Sequence, residues 1–233
     1  MRGVSGWPLD AVPAEREFVG GRCNMARPRD FVSPEIGMDA MPPSTAKPQP
    51  AGSVTDFEQL IASRSDVLTA RIEPEDLREP EFLQALVYWH IKRGSKPMPA
   101  RADLSPADMV KVLPKVVLID VLSQFPHFRY RVCGTNIVDW LKFDATGQTL
   151  DSVKPEKYRR MLFATYMECI GARTPIAHRI FWNSEEIPHR YKRLTMPLAS
   201  DGRNVDMLLV ISLAEGFEEA SNFWNNNTNA TRY

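Results

Sequence analysis

Hydrophobic and polar positions divide the 233-residue chain into three regimes. Over residues 1–52 the apolar residues have no period, and prolines and glycines such as Pro8, Pro13, Gly20, Gly21, Pro42 and Pro43 interrupt them throughout. Such a stretch buries too little surface to offset the entropy of ordering it, so a disordered N-terminal extension is expected. Met25, Met38 and Met41 each offer an alternative start. Thr55 followed by Glu58 has the form of a capping box, with Phe57, Leu60 and Ile61 at helical spacing behind it. Residues 53–78 are therefore expected to be a linker carrying one short helix.

From residue 79 the pattern becomes periodic. Glu79-Pro80-Glu81 is an acidic helix start, Phe82, Leu86 and Trp89 form one stripe, and Lys92, Arg93 and Gly94 close the last turn. This predicts a helix over 81–93. Lys96-Pro97-Met98-Pro99 breaks the chain, and Ser105-Pro106 opens a short helix ending by Pro114. Val116 to Leu122 is an apolar, β-branched run that predicts a strand. His127 to Cys133 alternates, with Phe128, Tyr130 and Val132 on one face and Arg129 and Arg131 on the other. Gln124 to Pro126 links the two as a hairpin. Gly134 ends the second strand, and Thr135 caps a short helix holding Ile137, Val138 and Leu141. Tyr158, Met161, Leu162, Thr165, Tyr166 and Cys169 recur at three and four, predicting an amphipathic helix from Pro155 to about Gly171.

Three strands follow: Pro175 to Trp182, Arg190 to Leu198 and Val205 to Leu213, the last two joined across an Asp201-Gly202 turn signal. After Gly216 the chain becomes polar and Asn-rich, and residues 216–233 are expected to form a disordered tail. Runs of strands separated by a helical middle argue for an α+β domain over 79–215 rather than a parallel α/β one. Five antiparallel strands with short helices on one face leave the other face bare, and the N-terminal helix 81–93 is the element available to cover it.

Particular words in this order narrow the reading. They are Pro99-Ala100-Arg101-Ala102-Asp103, Leu113-Pro114, Phe128-Arg129-Tyr130-Arg131-Val132-Cys133-Gly134-Thr135, Thr146-Gly147, and Met196-Pro197-Leu198 before Asp201-Gly202. With them the chain resembles a PAS domain over about residues 80–213, and more narrowly the single-PAS family of alphaproteobacteria. The resemblance implies a five-stranded antiparallel sheet with helices over one face. It also implies signal entry through a pocket between sheet and helices, or through a dimerising helix.

Tyr130, Trp140, Tyr166 and Tyr191 have an apolar body and one polar tip, which suits a ligand pocket; plain core packing is the alternative. Arg129 and Arg131 offer an anion or acidic-partner contact, or else pair with Asp120 or Asp206 across the sheet. Phe82 and Trp89 offer a dimer face, or else pack on the domain's own sheet.

Cofactor signatures are lacking. Haem-binding PAS domains use a His on the longer helix, and 155–171 has none; His90, His127, His178 and His189 lie elsewhere. Flavin photoreceptors of this class need an Asn-Cys-Arg type motif, whereas Cys133 precedes Gly134 and Cys169 precedes Ile170-Gly171. No CxxC, HxH or HExxH suggests a metal. Cys23, Cys133 and Cys169 form no disulfide framework, which fits a reduced cytoplasmic chain. Lys+Arg and Asp+Glu both number 29, which argues against a nucleic-acid binder, and no apolar run is long enough to span a membrane. The expectation is a stand-alone sensory or interaction module of bacterial signalling, engaging a small metabolite or a protein partner, without catalysis. One alternative is a small enzyme using His178 with Glu185 or Glu186 as acid and base. The other is a ligand-free structural homodimer.

Overall fold

A computed structural model describes residues 49–50, 67–125, 127–183, 188–226 and 229–233. All of them lie in the unit Pro34–Tyr233. The capping box at Thr55 and the extension before Gln49 fall outside these residues.

The strands are β1 (Gln49–Pro50), β2 (Val67–Ile72), β3 (Val116–Val121), β4 (Phe128–Cys133), β5 (Ile176–Asn183), β6 (Pro188–Leu198), β7 (Met207–Ala214) and β8 (Thr231–Arg232). The helices are α1 (Pro80–Arg93), α2 (Thr135–Leu141), α3 (Glu156–Ala172) and α4 (Phe217–Asn226). The strands form one antiparallel sheet in the order β1-β8-β2-β5-β6-β7-β3-β4. The five strands expected from the sequence are β3 to β7, and the architecture is α+β as expected. The sheet itself is wider, because β2 pairs along the whole of β5 and the short β8 and β1 extend that edge.

Two expectations about the ends of the domain are corrected. Residues 67–72 are a strand and not a linker: Val67 to Ala70 are buried, and such apolar backbone is satisfied by pairing with β5. Residues 217–226 and 231–232 are not an unstructured tail: α4 buries Ala220 and Trp224 against Leu68, Ala70 and Phe181, and β8 docks on β2.

Both faces of the sheet are covered. On one, α1 and the 3₁₀ turns of residues 101–115 bury Phe82, Ala85 and Trp89 against Leu194, Met196, Leu198, Leu209 and Ile211. Pro80 begins α1, Glu81 lies in its first turn, and Gly94 ends it at φ +55°. The Pro99–Asp103 word is the strap behind this helix. Asp103 accepts the Ala100 N–H at 2.8 Å, and Pro99 O accepts the Ala199 N–H at 2.9 Å. On the other face lie α2 and α3, over a core rich in aromatic residues.

The hairpin β3–β4 contains one irregularity that the alternation hid. Pairing shifts between Leu118 and Ile119, so that Ile119 faces Tyr130 while Leu118 faces Val132. Arg131 is the extra residue of this bulge, which sends Val132 to the α1 face and leaves Cys133 on the cavity face. Immediately after it, a Cβ on Gly134 would fall 2.4 Å from Pro114 O. Only glycine lets the end of β4 cross the Leu113-Pro114 turn this closely. Gly134, and not Thr135, is the N-cap of α2. The β6–β7 connection is broader than a two-residue turn. It spans 199–206, with Asp201 Oδ1 accepting the Arg203 and Asn204 N–H groups and Gly202 at φ +72°.

Candidate functional site

A cavity of about 330 Å³ lies between the sheet and α2–α3. Strands β3, β4 and β7 form its floor, and Ile137, Trp140 and Leu141 of α2 with Tyr158, Leu162 and Tyr166 of α3 form its roof. The polar groups converge on β6. Arg193 is buried and donates from Nη2 to the Tyr191 hydroxyl at 2.7 Å and, at a long 3.4 Å, from Nη1 to Thr165 Oγ1. The Tyr191 and Tyr158 hydroxyls are hydrogen-bonded at 2.8 Å. Tyr166 and Tyr191 also place their rings 5.7 and 5.3 Å from the guanidinium carbon.

Aromatic rings pack against one another along one side of the cavity. Tyr158 stacks on Trp182 at 4.2 Å, Trp182 stacks on His189 at 4.7 Å, and Trp140 stands edge-on to both His189 and Tyr191. Burial pushes the Tyr166 hydroxyl up to about 12 and Tyr130 and Tyr191 well above their ordinary value. These hydroxyls are therefore neutral donors and acceptors at physiological pH. Burial likewise depresses His189, with Arg190 adding to the effect, so its ring is neutral there.

The sequence model of the PAS domain matches residues 77–211. The chain belongs to the PAS domain family. No curated protein matches it. Among solved structures, the light-state LOV domain of the blue-light photoreceptor Aureochrome1 is similar at 11% identity and TM-score 0.37, over 50% of this chain and 92% of that one. An RNA-binding light-oxygen-voltage receptor is similar at 16% identity and TM-score 0.31, over 42% and 28%.

Of the sequence-predicted residues of this PAS domain, Tyr130, Trp140, Tyr166 and Tyr191 all line the one cavity. Arg129 and Arg131 do not. Both grip the buried Asp120, at 2.8 and 2.6 Å, across the hairpin. The dimer-face expectation for Phe82 and Trp89 is corrected. Both are buried in their own protomer, and the Trp89 indole donates to Pro197 O at 2.9 Å. The exposed apolar residues of α1 are Leu83, Val87 and Ile91, one stripe on its outer side. His178 pairs with Glu168 at 2.9 Å, outside the cavity lining, and Glu185 and Glu186 fall outside the described residues. Among the described residues no three His, Cys, Asp or Glu side chains group to hold a metal, and no helix is long and apolar enough to cross a membrane.

Sequence reasoning missed Arg193, Tyr158 and Trp182. Arg193 had a signal: Asp201-Gly202 made Arg190–Leu198 one arm of a hairpin, with another strand before it. A strand with neighbours on both edges, under a helix, has no solvated face for an arginine.

Proposed function

We propose that this PAS domain is a sensory module that takes a small organic molecule into the cavity between its sheet and α2–α3. The observation that carries the reading is the combination of an apolar, aromatic-walled space of about 330 Å³ with a few convergent polar groups on β6. Tyr130, Trp140, Tyr166 and Tyr191 supply the contacts expected of them. Cys133 also faces the space, but burial pushes its thiol up, which disfavours the thiolate a nucleophile needs. The reading is therefore recognition without catalysis, in a cytoplasmic bacterial signalling protein, and the resemblance of the PAS words to the alphaproteobacterial single-PAS family supports it. For output we favour a second copy of this chain on the Leu83–Val87–Ile91 stripe, since α1 joins that stripe to the sheet through Trp89.

Native mass spectrometry of freshly purified protein tests the cavity. A retained small-molecule mass in the wild type that is lost in Ala145→Trp, a substitution filling the lining, is expected. A bare chain that also shows no thermal shift with any of a metabolite panel would sink the reading.

A further inference from the structure

Arg193 is 3% exposed, and no carboxylate among the described residues pairs with it. A guanidinium stays charged at any physiological pH, and its fork of donors needs acceptors when buried. One donor reaches Tyr191, one makes the long contact to Thr165, and Nε has no partner among the described residues. The surrounding tyrosines are neutral and cannot balance the charge. Every charged residue lining the cavity is a cation: Arg193 in its wall, and Lys154 in the segment leading into α3. The Trp182 indole N–H, on the neighbouring strand β5, is also buried and unpartnered among the described residues.

Resting on the ligand-binding reading above, we infer that the ligand is a small organic acid, its carboxylate paired with Arg193 and its apolar body against the aromatic side chains that line the cavity. The guanidinium supplies a planar pair of donors matched to a carboxylate. The ring faces and edges of Trp140, Tyr158 and Tyr166 in the lining supply an apolar wall for its body. Carboxylate binding completes the hydrogen bonds that the folded protein leaves open, so the anion gains more in this site than a neutral isostere.

The test uses two probes of one shape, 2-naphthoate and 2-naphthamide, titrated into the full chain by calorimetry. The wild type is expected to bind the acid at least about tenfold more tightly than the amide, the range of one buried charge-assisted hydrogen bond. Arg193→Gln is expected to erase that preference while retaining the amide, and Arg193→Lys to keep part of it. Equal binding of acid and amide by the wild type overturns the anion inference and leaves the cavity reading standing. Acid preference that survives in Arg193→Gln overturns it too, since the anion would then sit elsewhere. Binding of neither probe overturns the inference, and the retained-mass and metabolite-panel result above decides the cavity reading separately. The wild-type ratio needs no variant, so a poorly folding Arg193→Gln does not rescue the inference.

Discussion

Lys192 and Arg193 are neighbours in β6, both buried, and they point to opposite faces of the sheet. Lys192 has two carboxylates: Glu79 at the N-cap of α1, at 2.6 Å, and Glu219 in the first turn of α4. Burial lowers the affinity of Lys192 for its proton and raises that of Glu79, but the hydrogen bonds of Lys192 to Glu219 and Glu79, the backbone N–H groups on Glu79 and the attraction between the charges together outweigh it and keep the two charged. The pair ties the starts of two helices to the sheet. Arg193 has hydroxyls, ring faces and a cavity, and no acid. For its buried cation the first face is complete in itself; the second is complete only with something added.

The sharpest break of this comparison is on the complete face. Trp89→Ala is expected to destabilise the domain by about 3–5 kcal/mol, because it leaves a cavity beneath α1 and strips Pro197 O of its donor. Chemical denaturation reads this directly. A loss below about 1 kcal/mol would mean that α1 is not part of the cooperative unit.

Gly134→Ala comes next, at about 1–3 kcal/mol, the usual cost of forcing extra atoms into packed structure. The clash is with backbone carbonyls of Leu113 and Pro114, which cannot swing aside as a side-chain end would. An unchanged denaturation midpoint would show that the β4–α2 junction has slack.

On the incomplete face the sign is expected to reverse. Arg193→Met removes a buried charge that lacks an acid and keeps the volume, so the ligand-free protein should be unchanged or more stable, by up to about 2 kcal/mol. A loss above about 1 kcal/mol would make Arg193 a structural residue like Lys192 and dissolve the comparison.

What the sequence could and could not reveal follows from where the information lies. Strands β3 to β7 and α3 were legible because each carries a period that its own neighbours complete. Strand β2 was not: Val-Leu-Thr-Ala-Arg-Ile is short, and its partner β5 lies a hundred residues away. Helix α4 was hidden by the asparagines around Ala220 and Trp224, the pair that packs it down. The bulge at Arg131 leaves no mark in the alternation, so the alternation alone puts Val132 on the wrong face. The four cavity residues were recognised from side-chain character and the family resemblance. Arg193 was not, because an arginine in a strand reads as solvated until a helix closes over it.

The finest prediction concerns the acids that complete the first face. Glu79, Glu215 and Glu219 meet only Lys192 and Arg179 there, one acid in excess. Glu215 is the most deeply buried of the three and lies 2.7 Å from Arg179 Nη1, yet neither of its oxygens is hydrogen-bonded among the described residues. Burial raises its pKa to about 7, against the pull of the Arg179 charge. A carboxyl raised in the folded state binds a proton more tightly there than in the unfolded chain, where it titrates near 4.5. Its contribution to stability is therefore full below about pH 4.5 and is lost as pH rises through about 7. Glu215→Gln mimics the protonated form, so its melting temperature should fall less than that of the wild type between pH 5 and pH 8. The half-buried His189 works in the opposite direction, gaining stability as pH rises toward 6.5, but it is common to both proteins and cancels in the difference between their profiles. Two parallel profiles would mean that Glu215 is ionised throughout, held by Arg179, and that the complete face tolerates its extra charge without a proton.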